Sequence, residues 1–531
     1  MSHDPPLFRA LGRCKKKFHR LDTVERDESP GDRRASLARA ALTCLVVLAI
    51  AACLPLSAFI EPCPASAQAP DLPGTQVSTA HGPAYPLKAS VNNRFLVDQR
   101  DVPFLMIGDS PQNLIVNASP AQAAIYMADR RDHGINALWI NLLCGFANAC
   151  NQDAATFDGI APFTVRGDLS TPNPAYFSRA DEMIRTAIGN GMVVLLNPVE
   201  TTSWLPTLKS NGATTAFLYG QYLGDRYKKF PNVIWLHGND LQTWKNPADD
   251  AVVQAVARGI RSVDPNHLHT VELNYVTSGS LDDPSWAPLI DIDAAYSYYP
   301  TYAQVLTEYN RPDFKPVILI EGNYEFEDLP NTDGGSLGNL RRQEYWTMLS
   351  GATGQLYGSA YTWRLEKGWE TKLDSPGVVE LGHMKDLFAP RKWYELVPDQ
   401  NHEVVTAGYD SVASYIGKFL VYFGRPPGWR DKVIRFVKRH SGIGSVASNN
   451  YVAAAQTPDG SLMIAYLPSR RTITVNMSKF PAPVAGHWYD PTNGRYSEVS
   501  GSTLKNAGAR QFTPPGKNSA ADGDWVLVLG D

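Results

Sequence analysis

The sequence predicts an α/β chain, a (β/α)8 TIM barrel followed by a small β-sandwich, and three observations predict it. Apolar runs of strand length alternate with helical patterns as far as about residue 395, and there are eight such runs. The runs are nearly continuous in apolar residues, as parallel strands are when both faces are buried. Two of them, Asn232–Asp240 (NVIWLHGND) and Pro316–Glu321 (PVILIE), end on a carboxylate, about eighty positions apart. The C-terminal rim of its strands is where such a barrel keeps its chemistry.

In chain order, Arg94–Asp98 and Val102–Ile107 flank a polar turn as a hairpin does, and the second run also reads as the first barrel strand, ending at Gly108-Asp109-Ser110. Ser119-Pro120-Ala121-Gln122 is a capping box with Pro at the first helical position, and its helix stops at Gly134. Strand two is Asn136–Asn141. A long loop follows that reads as a functional loop or lid. Asn173-Pro174 caps the next helix. Strand three is Met192–Asn197, with Glu200 and Trp204 after it. A helix over 213–229 leads to strand four, Val233–His237, broken by Gly238. Asn246-Pro247 caps a helix with Asp249 and Asp250 in its first turn, where acids complement the helix dipole. Strands five to eight are Leu268–Leu273, Asp291–Tyr296, Pro316–Glu321 and Gln355–Tyr361, and a last helix spans Val378–Glu395. An open doubly wound sheet would carry a Gly-rich phosphate turn after strand one, and Gly108-Asp109-Ser110-Pro111 is not one. Beyond residue 400 the helical period gives way to short strands between Gly, Pro, Asn and Asp turns: Tyr451–Gln456, Ser461–Tyr466, Thr472–Val475, Ala485–Tyr489 and Trp525–Leu529. The expected organisation is an export region over 1–67, a linker over 68–89, the barrel over 90–400, a connection over 401–445 and the sandwich over 446–531.

The N-terminus reads as an export signal. Basic residues up to Arg39 precede the uncharged run Ala40–Ile60, and Ala65-Ser66-Ala67 suits cleavage after Ala67. An uncleaved membrane anchor over the same run is an alternative. A lipoprotein is another, because Ile50-Ala51-Ala52-Cys53 resembles a lipobox. Cleavage would leave Cys144 and Cys150, with five residues between them in one loop, and an oxidising periplasmic or extracellular compartment would pair them as a disulfide. The balance of 49 basic against 53 acidic residues, net −4, argues against a nucleic-acid partner.

Glycosidic bonds are cleaved by two carboxyl groups, one protonating the leaving oxygen and one acting as nucleophile or base. Asp240 and Glu321 stand at equivalent points of strands four and seven, and burial beside hydrophobic strands can separate their titrations. The other strand ends are polar or aromatic as well. Asp109, Asn141, Asn197, Glu200, His237, Asn239, Glu272, Asn274, Tyr296, Tyr298 and Trp363 together describe a hydrophilic pocket for a poly- or oligosaccharide. Asp109, Asn141, Glu200, His237, Asn239, Asn274, Tyr298 and Trp363 are the candidate substrate contacts, with His237 and Asn239 orienting Asp240. No cofactor is implied. The metal pairs His267/His269 and Asp291/Asp293 fall near strand starts, the stabilising end. A non-catalytic glycan- or collagen-binding protein is the rival from another class.

At these residues the chain resembles the apiosidase-like glycoside hydrolases, family 140. The likeness is carried by Arg94–Asp98 with Pro103–Ser110, by Gly134–Asn141, by Trp235–Asp240 and by Ile320–Tyr324, in the right order over about residues 90–395. Trp488–Gly494 and Asp524–Val528 resemble the β-domain that accompanies this catalytic domain and carries a collagen-binding label, a role less expected here than structural support. The resemblance implies release of apiose from side chains of the pectin rhamnogalacturonan II. It implies Asp240 as acid/base and Glu321 as nucleophile. Related barrels usually carry Glu where Asp240 stands, one methylene longer.

Overall fold

The computed structural model describes residues 82–531 apart from 146–149, 152, 242–245, 274–275, 329–331, 410–444, 502 and 531. The expected export segment, most of the linker, Asn274 and most of the 401–445 connection lie outside the described residues. None of the helices among the described residues is long and apolar enough to cross a membrane.

Eight parallel strands form the barrel: β1 Met106–Asp109, β2 Ala137–Asn141, β3 Val193–Asn197, β4 Val233–Leu241, β5 His269–Leu273, β6 Asp293–Ser297, β7 Val317–Glu321 and β8 Gly354–Tyr357. Their order in the sheet is β5-β4-β3-β2-β1-β8-β7-β6. All are buried, as the apolar runs require. β8 ends at Tyr357 rather than Tyr361. β4 runs four residues past His237, because Gly238 starts a bulge in register with β5 instead of ending the strand.

The seam between β5 and β6 is closed differently. At its base the His269 carbonyl accepts the N–H groups of Asp291 and Ile292. Higher up, Ser280 Oγ donates to the Val271 carbonyl at 2.6 Å and accepts from the Ala294 N–H at 2.8 Å, so a side chain stands in for the ladder. Above that, Thr277–Ser278 pairs antiparallel with Tyr296–Ser297.

Among the described residues, seven helices longer than two turns pack outside: α1 Pro120–Asp132, α2 Pro174–Gly189, α3 Thr201–Tyr227, α4 Pro247–Arg261, α5 Thr301–Tyr309, α6 Leu337–Leu349 and α7 Pro376–Phe388. α1 has the expected capping box of Ser119 and Gln122, while Asn173 and Asn246 cap α2 and α4. The helix expected after β5 is replaced by the 3-10 turns Ser280–Asp282 and Pro284–Leu289, where Pro284 and Pro288 deny the backbone two donors. α7 stops at Phe388, and Trp393–Glu395 is a separate 3-10 turn.

The C-terminal strands are β9 Val397–Pro398, β10 Val405–Ala407, β11 Ala453–Gln456, β12 Leu462–Leu467, β13 Ile473–Asn476, β14 Gly486–Asp490, β15 Arg495–Glu498, β16 Ala509–Phe512 and β17 Trp525–Gly530. They make two antiparallel sheets, β9-β11-β12-β17-β14-β15 and β10-β13-β16. The larger sheet has two buried faces, and period two separates them. Met463, Ala465, Leu527 and Leu529 face the smaller sheet inside the sandwich. Ile464, Tyr466, Val526 and Val528 join the barrel's own hydrophobic core. The contact is made on α6, where Tyr345 stacks on Tyr466 at 4.9 Å and Trp346 donates its indole N–H to the Tyr451 carbonyl.

Candidate active site

The site forms where β4, β6 and β7 end. Gly238, Asn239 and Asp240 all have positive φ, at +93°, +95° and +55°. Only glycine fits the first of them, since a Cβ at 238 would lie 2.2 Å from the Glu272 carbonyl oxygen. The bulge turns Asp240 towards β6, where Tyr296 donates to its Oδ1 at 2.9 Å. The Asp240 N–H donates to Glu272 Oε2 on β5 at 3.2 Å, and Thr201 donates to the Asn239 carbonyl at 2.7 Å, so the bulge is held from both neighbouring strand ends.

Glu321 is the last residue of β7. Tyr298, from the end of β6, donates to its Oε1 at 2.9 Å, and Tyr324, three residues on, donates to Oε2 at 3.0 Å. The Tyr296 hydroxyl, which donates to Asp240, also lowers the titration of Glu321. Burial raises both carboxyls, Asp240 to about 6 and Glu321 to about 8, the second aided by the nearby Asp240 charge. The two titrations belong to the pair, which holds one proton around neutral pH. Glu272, fully buried below, is held well above the carboxylate range by burial and by the charges of Glu321 and Asp240.

Further polar groups converge on this pair. Gln112 Nε2 donates to the Tyr324 hydroxyl at 3.2 Å. Asn141 Nδ2 lies 3.5 Å from both Gln112 Oε1 and Asn239 Oδ1, and its own Oδ1 accepts from the Trp139 indole at 2.9 Å. At the rim, burial raises Glu327 to about 7 against the opposing charge of Arg364 and a hydrogen bond from Trp363. From outside the barrel, α6 contributes Gln343, whose Oε1 accepts the Asn323 N–H at 2.8 Å and so fixes the turn that follows Glu321.

Of the residues expected from the sequence, Asp240, Glu321, Asn239, Asn141 and Tyr298 come together, with Trp363 at the rim beside Glu327. Three others point elsewhere. Asp109 is fully buried against Arg130 of α1, Nε to Oδ2 2.6 Å, with Tyr126 donating to the same oxygen. Glu200 caps α3, accepting the Ser203 N–H at 3.1 Å. His237 is 2% exposed on the helix-facing side of β4, its Nε2 3.0 Å from His269 Nδ1 and its ring against Trp286. Burial drives it down to about 3, so it is neutral and does not orient Asp240. The metal-pair residues are engaged too, His267 with Asp264 and Asp291 with Arg261. Cys144 and Cys150 are joined as a disulfide in the loop after β2. Tyr324, Gln112, Glu327 and Gln343 were not singled out by the strand-end rule, because they stand on loops or on a helix.

Comparison with known proteins agrees with the fold. No curated protein matches the chain. Among solved structures, one described as "Glycoside hydrolase" superimposes with a TM-score of 0.68 at 20% identity, over 84% of this chain and 97% of its own. A glycoside hydrolase family 5 protein from Bacteroides vulgatus gives 0.67 at 20% identity, over 84% and 93%. At that identity these two speak for the fold. Residues 442–530 match the family described as "Putative collagen-binding domain of a collagenase". Residues 90–395 match the model described as "Apiosidase-like, catalytic domain". That span is more than half of the 531 residues, and the chain belongs to the apiosidase-like family of glycoside hydrolases.

Proposed function

We propose that the chain hydrolyses glycosidic bonds with retention of configuration, Asp240 serving as acid/base and Glu321 as nucleophile. The observation that carries this reading is that the Asp240 and Glu321 carboxyls stand together among three phenols, Tyr296 donating to Asp240 and Tyr298 and Tyr324 to Glu321. Glu321 feels the Asp240 charge, and that closeness favours the separation of roughly 5–5.5 Å used for direct attack over the wider gap that admits a water. In the first step the proton of Asp240 passes to the glycosidic oxygen while a Glu321 oxygen bonds to the anomeric carbon and the C–O bond breaks. In the second, Asp240 takes a proton from water, whose oxygen displaces Glu321. Burial raises Glu321 further than Asp240, but Tyr298 and Tyr324 both donate to the Glu321 oxygens and stabilise its anion, and in this reading they leave the pair's one proton to Asp240.

The sugar released is apiose, from side chains of a pectic polysaccharide. Support comes from the family match over residues 90–395. The enzyme acts outside the cytoplasm after removal of residues 1–67, a reading supported by the Cys144–Cys150 disulfide. The test is apiose release from rhamnogalacturonan II by wild type, Asp240→Ala and Glu321→Ala, with the first-formed anomer followed by NMR. Release lost in both variants with folding kept, and an unchanged anomeric configuration, are expected. Undiminished release in either variant would remove that residue from the mechanism, and an inverted product would remove the nucleophile.

A further inference from the structure

Glu272 is a buried carboxyl beside the catalytic pair that the mechanism above does not use. It is fully buried on the lumen face of β5, directly across from Gly238. It holds the bulge through Oε2, which accepts the Asp240 N–H at 3.2 Å, while its Oε1 is buried without a hydrogen-bond partner among the described residues. Asn239 and Asp240 are two successive non-glycine residues with positive φ, which is costly, and such a backbone persists only where its surroundings over-determine it. The groups facing Glu272 are Asp240 from β4, Tyr296 from β6, and Glu321 and Tyr324 from β7 and its loop. Two of these are carboxyls, and the other two are phenols. A second negative charge in this lumen would oppose ionisation of the nucleophile.

We propose that Glu272 is a positioning residue that works uncharged, clamping the Gly238–Asp240 bulge so that the Asp240 carboxyl stays on Tyr296 and faces Glu321. As a neutral acid it offers the N–H of Asp240 an acceptor without adding a charge. Burial and the neighbouring carboxyls push its titration well above the usual carboxylate range, which agrees with this arrangement.

The proposal rests on Asp240 and Glu321 being the catalytic pair. Two variants separate shape from charge: Glu272→Gln keeps the acceptor, and Glu272→Met keeps the volume and loses it. One readout needs no substrate. A carboxyl protonated when folded and ionised when unfolded makes stability fall as pH rises above its ordinary value of 4.5. The thermal midpoint of E272Q should therefore exceed that of wild type by a margin that is absent at pH 4 and grows towards pH 8. A margin that does not grow would mean that Glu272 ionises freely. Positioning is read from crystal structures: in E272M the Asp240–Tyr296 hydrogen bond of 2.9 Å is lost, and in E272Q it is kept. Retention of that bond in E272M would overturn the assignment. Apiose release from rhamnogalacturonan II supplies the kinetic split. E272Q should stay within about threefold of wild type with both limbs of its pH profile in place, and E272M should lose about 100-fold in kcat at little-changed KM. An E272Q as impaired as E272M would show that a charged or proton-transferring Glu272 is needed. D240A and E321A, assayed alongside, show whether the catalytic-pair reading has failed instead.

Discussion

Arg341 of α6 and Asp524 at the head of β17 meet through two contacts, Nε to Oδ2 at 2.8 Å and Nη2 to Oδ1 at 3.1 Å, with both side chains nearly excluded from solvent. The same guanidinium reaches Glu380 of α7 at 2.8 Å and Asp522 at 2.6 Å. Barrel and sandwich are thus joined by one cation among three acids, above a continuous apolar core. Removing the cation strands Asp524 and Glu380 in a buried place. Arg341→Met is expected to cost about 3–5 kcal/mol in denaturant unfolding, because an unpaired buried charge costs more than the pair contributes.

Tyr298 and Tyr324 each give Glu321 one hydrogen bond. Bonds to a charged acceptor contribute about 1.5–3 kcal/mol each. Tyr298→Phe should lower kcat by about 10- to 100-fold with KM little changed, and adding Tyr324→Phe should lower it further. Steady-state kinetics on the released sugar decides this.

Activity needs one proton on the Asp240–Glu321 pair. Below both titrations the nucleophile is protonated, and above both the acid is gone. With the pair titrating at about 6 and about 8, kcat/KM should be bell-shaped with its maximum between those values. A profile that stays flat from pH 5 to 9 would contradict the raised titrations.

Gly238 has no room for a side chain. In Gly238→Ala the new methyl meets the Glu272 carbonyl, and a left-handed φ is imposed on alanine. A loss of about 2–4 kcal/mol is expected, along with a kcat drop greater than any change in KM, since Asp240 is two residues away. Thermal denaturation and kinetics on the same preparation test both.

The barrel was legible because its strands are buried on both faces and so advertise themselves as apolar runs. Asp240 and Glu321 were legible because each ends such a run. The same rule misplaced Asp109, whose partner Arg130 lies a helix away, so the ion pair leaves no local trace. His237 could have been set aside by parity. It shares a face with Trp235, and its ring meets His269 and Trp286 on the helix side, while Asp240 is turned inward by a bulge that the sequence shows only as a glycine. Glu200 was an N-cap standing where a ligand contact was expected, and its Ser203 partner was the readable sign. Gln112 and Gln343 reach the site through tertiary packing, for which no spacing rule exists.

Ser280 also sets how the β5–β6 seam can move. A complete ladder between β5 and β6 would open only with the sheet, but here one hydroxyl carries two of the links, and a hydroxyl can leave by rotating a single bond. The cylinder is therefore latched along this line and woven elsewhere. The latch lies on the wall between Glu272 of β5 and Tyr296 of β6. Breathing at this join would admit solvent to the floor of the pocket while the remaining ladders stay intact, and the Ala294 amide would exchange its hydrogen ahead of those on β2 and β3.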